Sequence, residues 1–225
     1  MPHIAIDNDD NSIYVPKHNS SIAGPHYELS TAMQNYVKCM EVPQNLKYGI
    51  PTFDSIKLFG ENFSETLDNL LSKSQKNIGP SINTMHKYGT YNLLTKNEVS
   101  QIINTLFPFV CEYFGIDPTK KMKLFQDFTV HYGKDLDHNL AVHVDDSDIT
   151  VNLCLQNDNN GAVVYFDTIP DTLFGHQKNN ASISVDMSRG TLIVHKGKHP
   201  HRTTDIAMNG GNRCNIVMWF KLFDS

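Results

Sequence analysis

The stretch HVDDSDITVNLCL (143–155) sets a short polar segment directly before a run of apolar and β-branched residues. Side chains alternate faces with a period of two in extended chain. If residues 143–145 are extended, His143 and Asp145 point to the same face, where one imidazole and one carboxylate can reach a single metal ion. Working outward, short runs of the same strand-like kind recur through the second half of the chain. They are Leu124–Tyr132, Ile149–Leu155, Ala162–Phe166, Ser182–Asp186, Thr191–His195 and Cys214–Phe220. Turn-forming clusters separate them at Asn157–Gly161, Arg189–Gly190 and Asn209–Asn212. Several of these runs, Cys214–Phe220 above all, are apolar on both faces and must be covered on both sides.

The cover is expected from the first half, where the periodicity is helical. A short helix is expected within Leu29–Met40. Asn62 followed by Glu65 marks a helix start, and Leu67, Leu70 and Leu71 form its apolar stripe. The clearest helix begins at Thr95, whose hydroxyl can cap the first turn while Glu98 closes the reciprocal bond. Val99, Ile102, Ile103, Leu106, Val110 and Phe114 fall on one side of it, Gly115 is a natural stop, and Pro108 is expected to kink it. Helices first and many short strands later predict a mainly β, α+β fold, a jelly roll with helices packed on one sheet. The expected organisation is an irregular segment over residues 1–28 and one domain over 29–225, helical over 29–120 with a jelly-roll core over 121–222.

A metal site needs a third ligand beyond His143 and Asp145. The one His-rich stretch downstream is HKGKHPH (195–201), which offers His195, His199 and His201. Two histidines and one carboxylate on one face of an octahedral ion leave positions open, the facial arrangement of non-haem Fe(II) oxygenases. A co-substrate with a distal carboxylate would need a fixed cation, and Arg213 at the head of the last strand has the planar fork for it. Each element also has a bland reading. HxD occurs by chance, an arginine at a strand start is commonly a surface residue, and three histidines can line a solvated loop. Order and context give the pattern its force.

Bulk properties narrow the classes. The chain has 225 residues, 40% of them hydrophobic and 19% charged, within the range of globular proteins. Its formal net charge is −5 with no Lys/Arg block, which argues against an electrostatic grip on nucleic acid or an anionic membrane. No apolar run approaches the roughly 20 residues of a membrane span, and the start MPHIAIDNDDNSIY lacks the features of a secretory signal. Cys39, Cys111, Cys154 and Cys214 form no CxxC pair and are expected to be reduced thiols. Together these readings lead to an expected cytoplasmic location.

At this point the chain resembles the 2-oxoglutarate- and Fe(II)-dependent oxygenases, nearest to the prolyl/lysyl-hydroxylase-like branch. The residues that carry the resemblance are KYG (87–89), FTVHYG (128–133), HVDDSDITVNLCL (143–155), GAVVYF (161–166), GTLIVHKGKHPH (190–201) and NRCNIVMWF (212–220), within a span of about 85–222. The resemblance implies a double-stranded β-helix with the metal at its open end. It implies His143 and Asp145 as the HxD ligands, His201 as the distal ligand with His199 as its competitor, and Arg213 as the partner of the far carboxylate of 2-oxoglutarate. Tyr132 and Asn152 match positions that touch the co-substrate. One departure is the spacing from His201 to Arg213, twelve positions where relatives commonly have about ten, with the extra residues in the turn Ala207–Asn212, where insertions are tolerated.

The implied cofactor is Fe(II), the co-substrate is 2-oxoglutarate, and ascorbate is a candidate reductant. The implied reaction is O₂-dependent hydroxylation of a C–H bond with release of succinate and CO₂, on a prolyl or lysyl side chain of a protein or peptide. Neither nucleic acid nor membrane is an expected partner. The second arginine that nucleic-acid demethylases place six residues after the first is Trp219 here. The alternatives are a small-molecule hydroxylase and a non-enzymatic cupin-like jelly roll that binds a metal or ligand. Arg213 separates the last of these, which has no use for it.

Overall fold

A computed structural model describes residues 14–16, 26–28, 31–41, 49–80, 86–158, 161–166, 182–205 and 211–225. The helices are α1 (Thr31–Val37), α2 (Ser55–Phe59), α3 (Phe63–Lys76) and α4 (Lys96–Phe114). The strands are β1 (Tyr14–Pro16), β2 (His26–Glu28), β3 (Thr52–Asp54), β4 (Gly79–Pro80), β5 (Tyr88–Gly89), β6 (Lys121–Tyr132), β7 (Leu140–His143), β8 (Ile149–Asn157), β9 (Ala162–Phe166), β10 (Ser182–Asp186), β11 (Thr191–Lys196), β12 (His201–Thr203) and β13 (Arg213–Phe223). Within the segment expected to be irregular, β1 and β2 pair as a small antiparallel ribbon. The rest of residues 1–28 lies outside the described residues, as does most of the turn Ala207–Asn212.

Two sheets face one another. The larger has the order β3-β11-β8-β13-β6 and the smaller β10-β9-β12-β7. The pairs β9–β10, β8–β11, β8–β13, β6–β13, β7–β12 and β9–β12 are all antiparallel. This is the jelly roll anticipated from the spacing of the strands. The larger sheet divides its residues by parity. Val151, Leu153, Leu192, Val194, Ile216 and Met218 point outward into one cluster with Leu67 and Leu70 of α3 and Ile102, Leu106 and Phe109 of α4. The opposite parity, His195, Thr150, Trp219, Asn152 and Asn215 among them, faces the smaller sheet. The doubly apolar strands are thus covered by helices on one side and by the second sheet on the other.

The helix ends show how local sequence places this cover. At α4, Glu98 N–H donates to Thr95 Oγ1 (3.3 Å) and Thr95 N–H to Glu98 Oε2 (2.6 Å), the reciprocal cap expected from sequence. Gly115 adopts a left-handed conformation (φ 68°) that ends the helix at little cost. The helix runs on through exposed Pro108, and in the preceding turn Tyr36 Oη donates to Thr105 O at 2.7 Å. Asn62 stands at the N-cap of α3 but makes no side-chain cap bond. Glu65 in that first turn instead favours the helix dipole. None of these helices is long and apolar enough to cross a membrane. All four cysteines are free thiols.

The contact of α3 and α4 with the larger sheet is the main apolar layer. Leu106→Ala, at a residue with 0% exposure, is expected to lower unfolding free energy by about 2–5 kcal/mol in urea denaturation. Phe125→Ala, at 60% exposure, is expected to change it by less than about 0.5 kcal/mol.

Candidate metal centre

His143 is the last residue of β7 and His201 the first of β12, and the antiparallel register sets them directly opposite one another. Opposed residues on one face lie close enough for their side chains to touch. Their ring centroids are 4.2 Å apart. Tyr165 of β9 continues the same row and stacks on His201 at 5.4 Å. The backbone orients both imidazoles, with His143 Nδ1 donating to Ala141 O and His201 Nδ1 to His199 O, each at 2.9 Å. A proton held on Nδ1 leaves Nε2 with its lone pair free for a metal.

Asp145 lies two residues beyond the end of β7, so loop hydrogen bonds rather than strand alternation aim it. Its N–H donates to Gly197 O (2.8 Å), and Gly197 N–H donates to Asp148 O (3.1 Å). A side chain at Gly197 would run into the Ser147 carbonyl, so the close approach requires glycine. Thr150 Oγ1 donates to Asp145 Oδ2 at 2.6 Å, and the Ser147 hydroxyl bonds Thr150 in turn at 2.7 Å. Asp145 Oδ1 is then left facing His143 Nε2 at 3.7 Å, while Oδ2 is 3.9 Å from His201 Nε2. One ligand atom from each of His143, Asp145 and His201 lies within 4.8 Å of the others. His199 is not part of this group and contributes its backbone carbonyl to His201 instead. Burial pushes the His201 imidazole down to about 3, against the pull of the Asp145 charge, which keeps it in the neutral, metal-binding form. Nitrogen and carboxylate donors grouped on one side, with bare lone pairs, fit a divalent iron.

The cleft runs from this triad to Arg213, and Tyr132, Asn152, Asn215 and Thr203 also line it. Arg213 is 1% exposed and forms no ion pair among the described residues. Its Nε donates to Asn215 Oδ1 (3.0 Å), Asn215 Nδ2 donates to Asn152 Oδ1 (2.7 Å), and Nη1 has no partner. Its guanidinium also sits 5.1 Å from the Tyr132 ring, whose hydroxyl bonds Thr203 at 3.0 Å. A buried cation without a counter-ion is costly. An anion carried by a ligand removes that cost, so these residues fit a carboxylate. The structure thus brings all six residues singled out from sequence to one cleft. It adds Thr150, Asn215 and His86 to the cleft, whereas His195, offered by the sequence as a possible ligand, does not line it. His195 is fully buried, with Nε2 3.9 Å from Asp145 Oδ2.

Two measurements bear on this geometry. Thr150→Val removes the bond to Asp145 while preserving shape, and is expected to weaken Mn(II) binding about 10–100-fold, read by metal titration. The second concerns His86, His131, His195 and His201, which burial holds at about 4, 4, 3 and 3, below the ordinary value of about 6.5. The unfolded chain takes up protons below pH 6.5 that the native metal-free protein refuses until it reaches those lower values. Stability of the metal-free protein should therefore be full above pH 6.5 and fall as pH drops toward 4. Each group contributes a slope of at most about 1 kcal/mol per pH unit. Denaturation at pH 7, 6 and 5 checks it, and a flat profile contradicts it.

No family model matches the chain. Among curated proteins it is similar to the 2-oxoglutarate and iron-dependent oxygenase domain-containing protein ICU11 of Arabidopsis thaliana, 29% identical over 149 residues that cover 61% of this chain and 35% of that protein. It is also similar to 2-oxoglutarate and iron-dependent oxygenase domain-containing protein 2 of Xenopus tropicalis, 26% identical over 79% of this chain and 49% of that protein. The chain therefore spans about a third to a half of the length of the curated relatives it matches. Among solved structures it shares the fold of a 2OG-Fe(II) oxygenase family oxidoreductase from Burkholderia pseudomallei (TM-score 0.54, 16% identity, 79% of this chain and 86% of that one). A Pseudomonas putida prolyl-4-hydroxylase has the same fold (TM-score 0.50, 12% identity, 76% and 91%). In sequence the chain's curated homologues are 2-oxoglutarate and iron-dependent oxygenase domain proteins, and in fold its neighbours are 2OG-Fe(II) oxygenases.

Proposed function

We propose that this chain is an Fe(II)- and 2-oxoglutarate-dependent dioxygenase that hydroxylates a C–H bond of a prolyl or lysyl side chain in a protein or peptide. The single observation that carries the reading is the pairing, in one cleft, of the His143–Asp145–His201 group with a buried Arg213 that has no counter-ion among the described residues. A metal-binding jelly roll without a keto-acid co-substrate has no need of that arginine.

Bound iron with 2-oxoglutarate would supply the oxidising chemistry that consumes O₂ and yields succinate, CO₂ and a hydroxylated product. The chain's own residues do the rest. His143, Asp145 and His201 would hold the metal from one side and leave the other open. Arg213, fixed by Asn215 and Asn152, would hold the distal carboxylate and orient the keto acid toward the metal. Tyr132 packs beneath the guanidinium, and burial of the cleft wall excludes water from the reacting groups. No acid–base pair or protein nucleophile is required of the chain. Support for a protein or peptide substrate is the prolyl-4-hydroxylase among its structural neighbours, together with Trp219 where a nucleic-acid demethylase would carry its second arginine.

Succinate release from 2-oxoglutarate with Fe(II) and ascorbate, measured with and without proline- or lysine-containing peptides, tests the proposal. Turnover is expected to vanish in His143→Ala and Asp145→Ala. Arg213→Ala is expected to raise the KM for 2-oxoglutarate about 10–100-fold, the equivalent of a charge-assisted bond of about 1.5–3 kcal/mol. Full activity in both ligand variants would overturn the assignment.

A further inference from the structure

The cleft-facing side of the larger sheet runs on past the triad. Along β13 the period of two puts Arg213, Asn215, Val217 and Trp219 in the cleft wall, and Lys221 and Phe223 beyond it. At about 3.4 Å per residue, these last two lie about 7 and 14 Å along the strand from Trp219. The neighbouring strand β6 adds Lys123, opposite Lys221, and Lys121, opposite Phe223. Phe125 is the extra residue of a bulge, since Gln126 pairs with Trp219 and Leu124 with Phe220. This end is open to solvent. Phe125 is 60% and Phe223 47% exposed, two of the four large apolar side chains that the described residues leave exposed. They interlock with the lysines as cation–aromatic pairs: Lys123 Nζ is 5.1 Å from the centre of the Phe223 ring, and Lys221 Nζ 5.8 Å from that of Phe125.

The acids around this face are already engaged. Asp146 pairs with Lys221 at 3.0 Å, Asp224 with Lys120 at 2.7 Å, and Asp148 Oδ2 accepts from Leu222 N–H at 2.7 Å. Lys121 and Lys123 have no carboxylate partner among the described residues. In addition, β6 is the edge strand of its sheet. Residues 90–92 bond alongside it only from Asp127 onward, through Asn92 N–H to Asp127 O and Thr129 N–H to Thr90 O. Before Asp127 the strand has β13 on one side and no strand of the described residues on the other. An open strand edge presents a row of backbone donors and acceptors to a further strand.

We propose that residues 121–126 dock an extended acidic segment of a partner protein, added as a further strand beside β6. Main-chain bonds to the edge give such a strand its hold, and alternate side chains give it specificity. Carboxylates one face of the added strand carries meet Lys121 and Lys123, and an apolar side chain on the same face meets Phe125. A second copy of this chain is a poor occupant, because edge against edge would bring the lysines of both copies together. A nucleic acid is a poor one too: two unpaired lysines neutralise few phosphates, and a phosphate backbone makes no strand pairing. The site is separate from the cleft, which Lys121, Lys123, Phe125 and Phe223 do not line, and it does not depend on the oxygenase reading.

The probes are added to the metal-free full chain: a short synthetic peptide alternating glutamate with valine, its lysine-for-glutamate counterpart, and oligothymidylate. Anisotropy of the labelled probes gives affinity, and ¹⁵N-correlated amide spectra give the place. The acidic peptide is expected to bind saturably, to weaken as salt is added, and to shift the amides of residues 121–126 most. The lysine peptide and oligothymidylate are expected not to bind. Lys121→Glu combined with Lys123→Glu is expected to weaken the acidic peptide at least tenfold, and Phe125→Ala at least threefold, with the dispersed amide spectrum of the folded chain retained. N-methylating alternate nitrogens of the peptide is expected to abolish binding in one phase and spare it in the other, because an added strand turns only every second N–H toward its neighbour. No saturable binding, equal binding of the lysine peptide or oligothymidylate, shifts confined to other surfaces, or unchanged affinity in the charge-reversed variant would overturn the docking site. Equal tolerance of methylation in both phases would overturn the strand addition.

Discussion

Everything at the candidate centre depends on the register of two short antiparallel strands, β7 against β12. Because residue 143 lies opposite residue 201, two imidazoles meet across a single rung of the ladder. A slip of one residue would turn one ring to the other face of the sheet. The ladder continues through Tyr165, whose ring supports His201 from behind. The register is held from outside the pair as well: β12 is also zipped to β9 along His201–Thr203, and Gly197 permits the turn before β12 to approach Ser147. The centre is thus a consequence of strand pairing, and its polar groups are held by a frame that is otherwise apolar.

That frame carries a cost. A buried carboxylate, a buried guanidinium and several neutral histidines sit between two sheets, where unsatisfied polar groups are destabilising. Part of the cost is offset locally. Thr150 and Ser147 satisfy Asp145, Asn215 and Asn152 satisfy one side of Arg213, and backbone carbonyls satisfy the Nδ1 atoms of His143, His195 and His201. Among the described residues the remainder includes Arg213 Nη1, on a residue that lines the cleft, and His195 Nε2, 3.9 Å from Asp145 Oδ2. Rigid support combined with unmet valence is what a preorganised site needs, and here the helical layer on the far side of the larger sheet supplies the compensating apolar burial.

Much of the fold was legible because it rests on short-range signals. Ala162–Phe166 begins and ends where its apolar run meets Gly161 and Asp167 in the sequence, and the Thr95–Glu98 pair and Gly115 mark α4 at both ends. The strands that bear the candidate ligands were the hard ones. β7 and β12 are four and three residues long and carry histidine and arginine where a strand signal needs apolar alternation; long-range pairing makes them strands. The HxD spacing pointed to two candidate ligands that the fold brings together, but the reason for it differed, since Asp145 lies beyond β7 and is aimed by Gly197 and Thr150. His199 and His201 could be separated only by the resemblance, until the fold showed which ring faces Asp145. Thr150 and Asn215 gave no local signal, because their roles follow from register across β8 and β13. His86 lies outside every motif and joins the cleft only through tertiary packing.

The most direct measurement is an anaerobic titration of the metal-free protein with Fe(II) and 2-oxoglutarate, followed in the visible region. A keto acid chelated to ferrous iron gives a charge-transfer band that neither component gives alone. The account predicts one such band per chain, saturating at one iron, absent in His201→Ala and retained in His199→Ala. A band that survives in His201→Ala, or no band at saturating iron and 2-oxoglutarate in the parent protein, would contradict it.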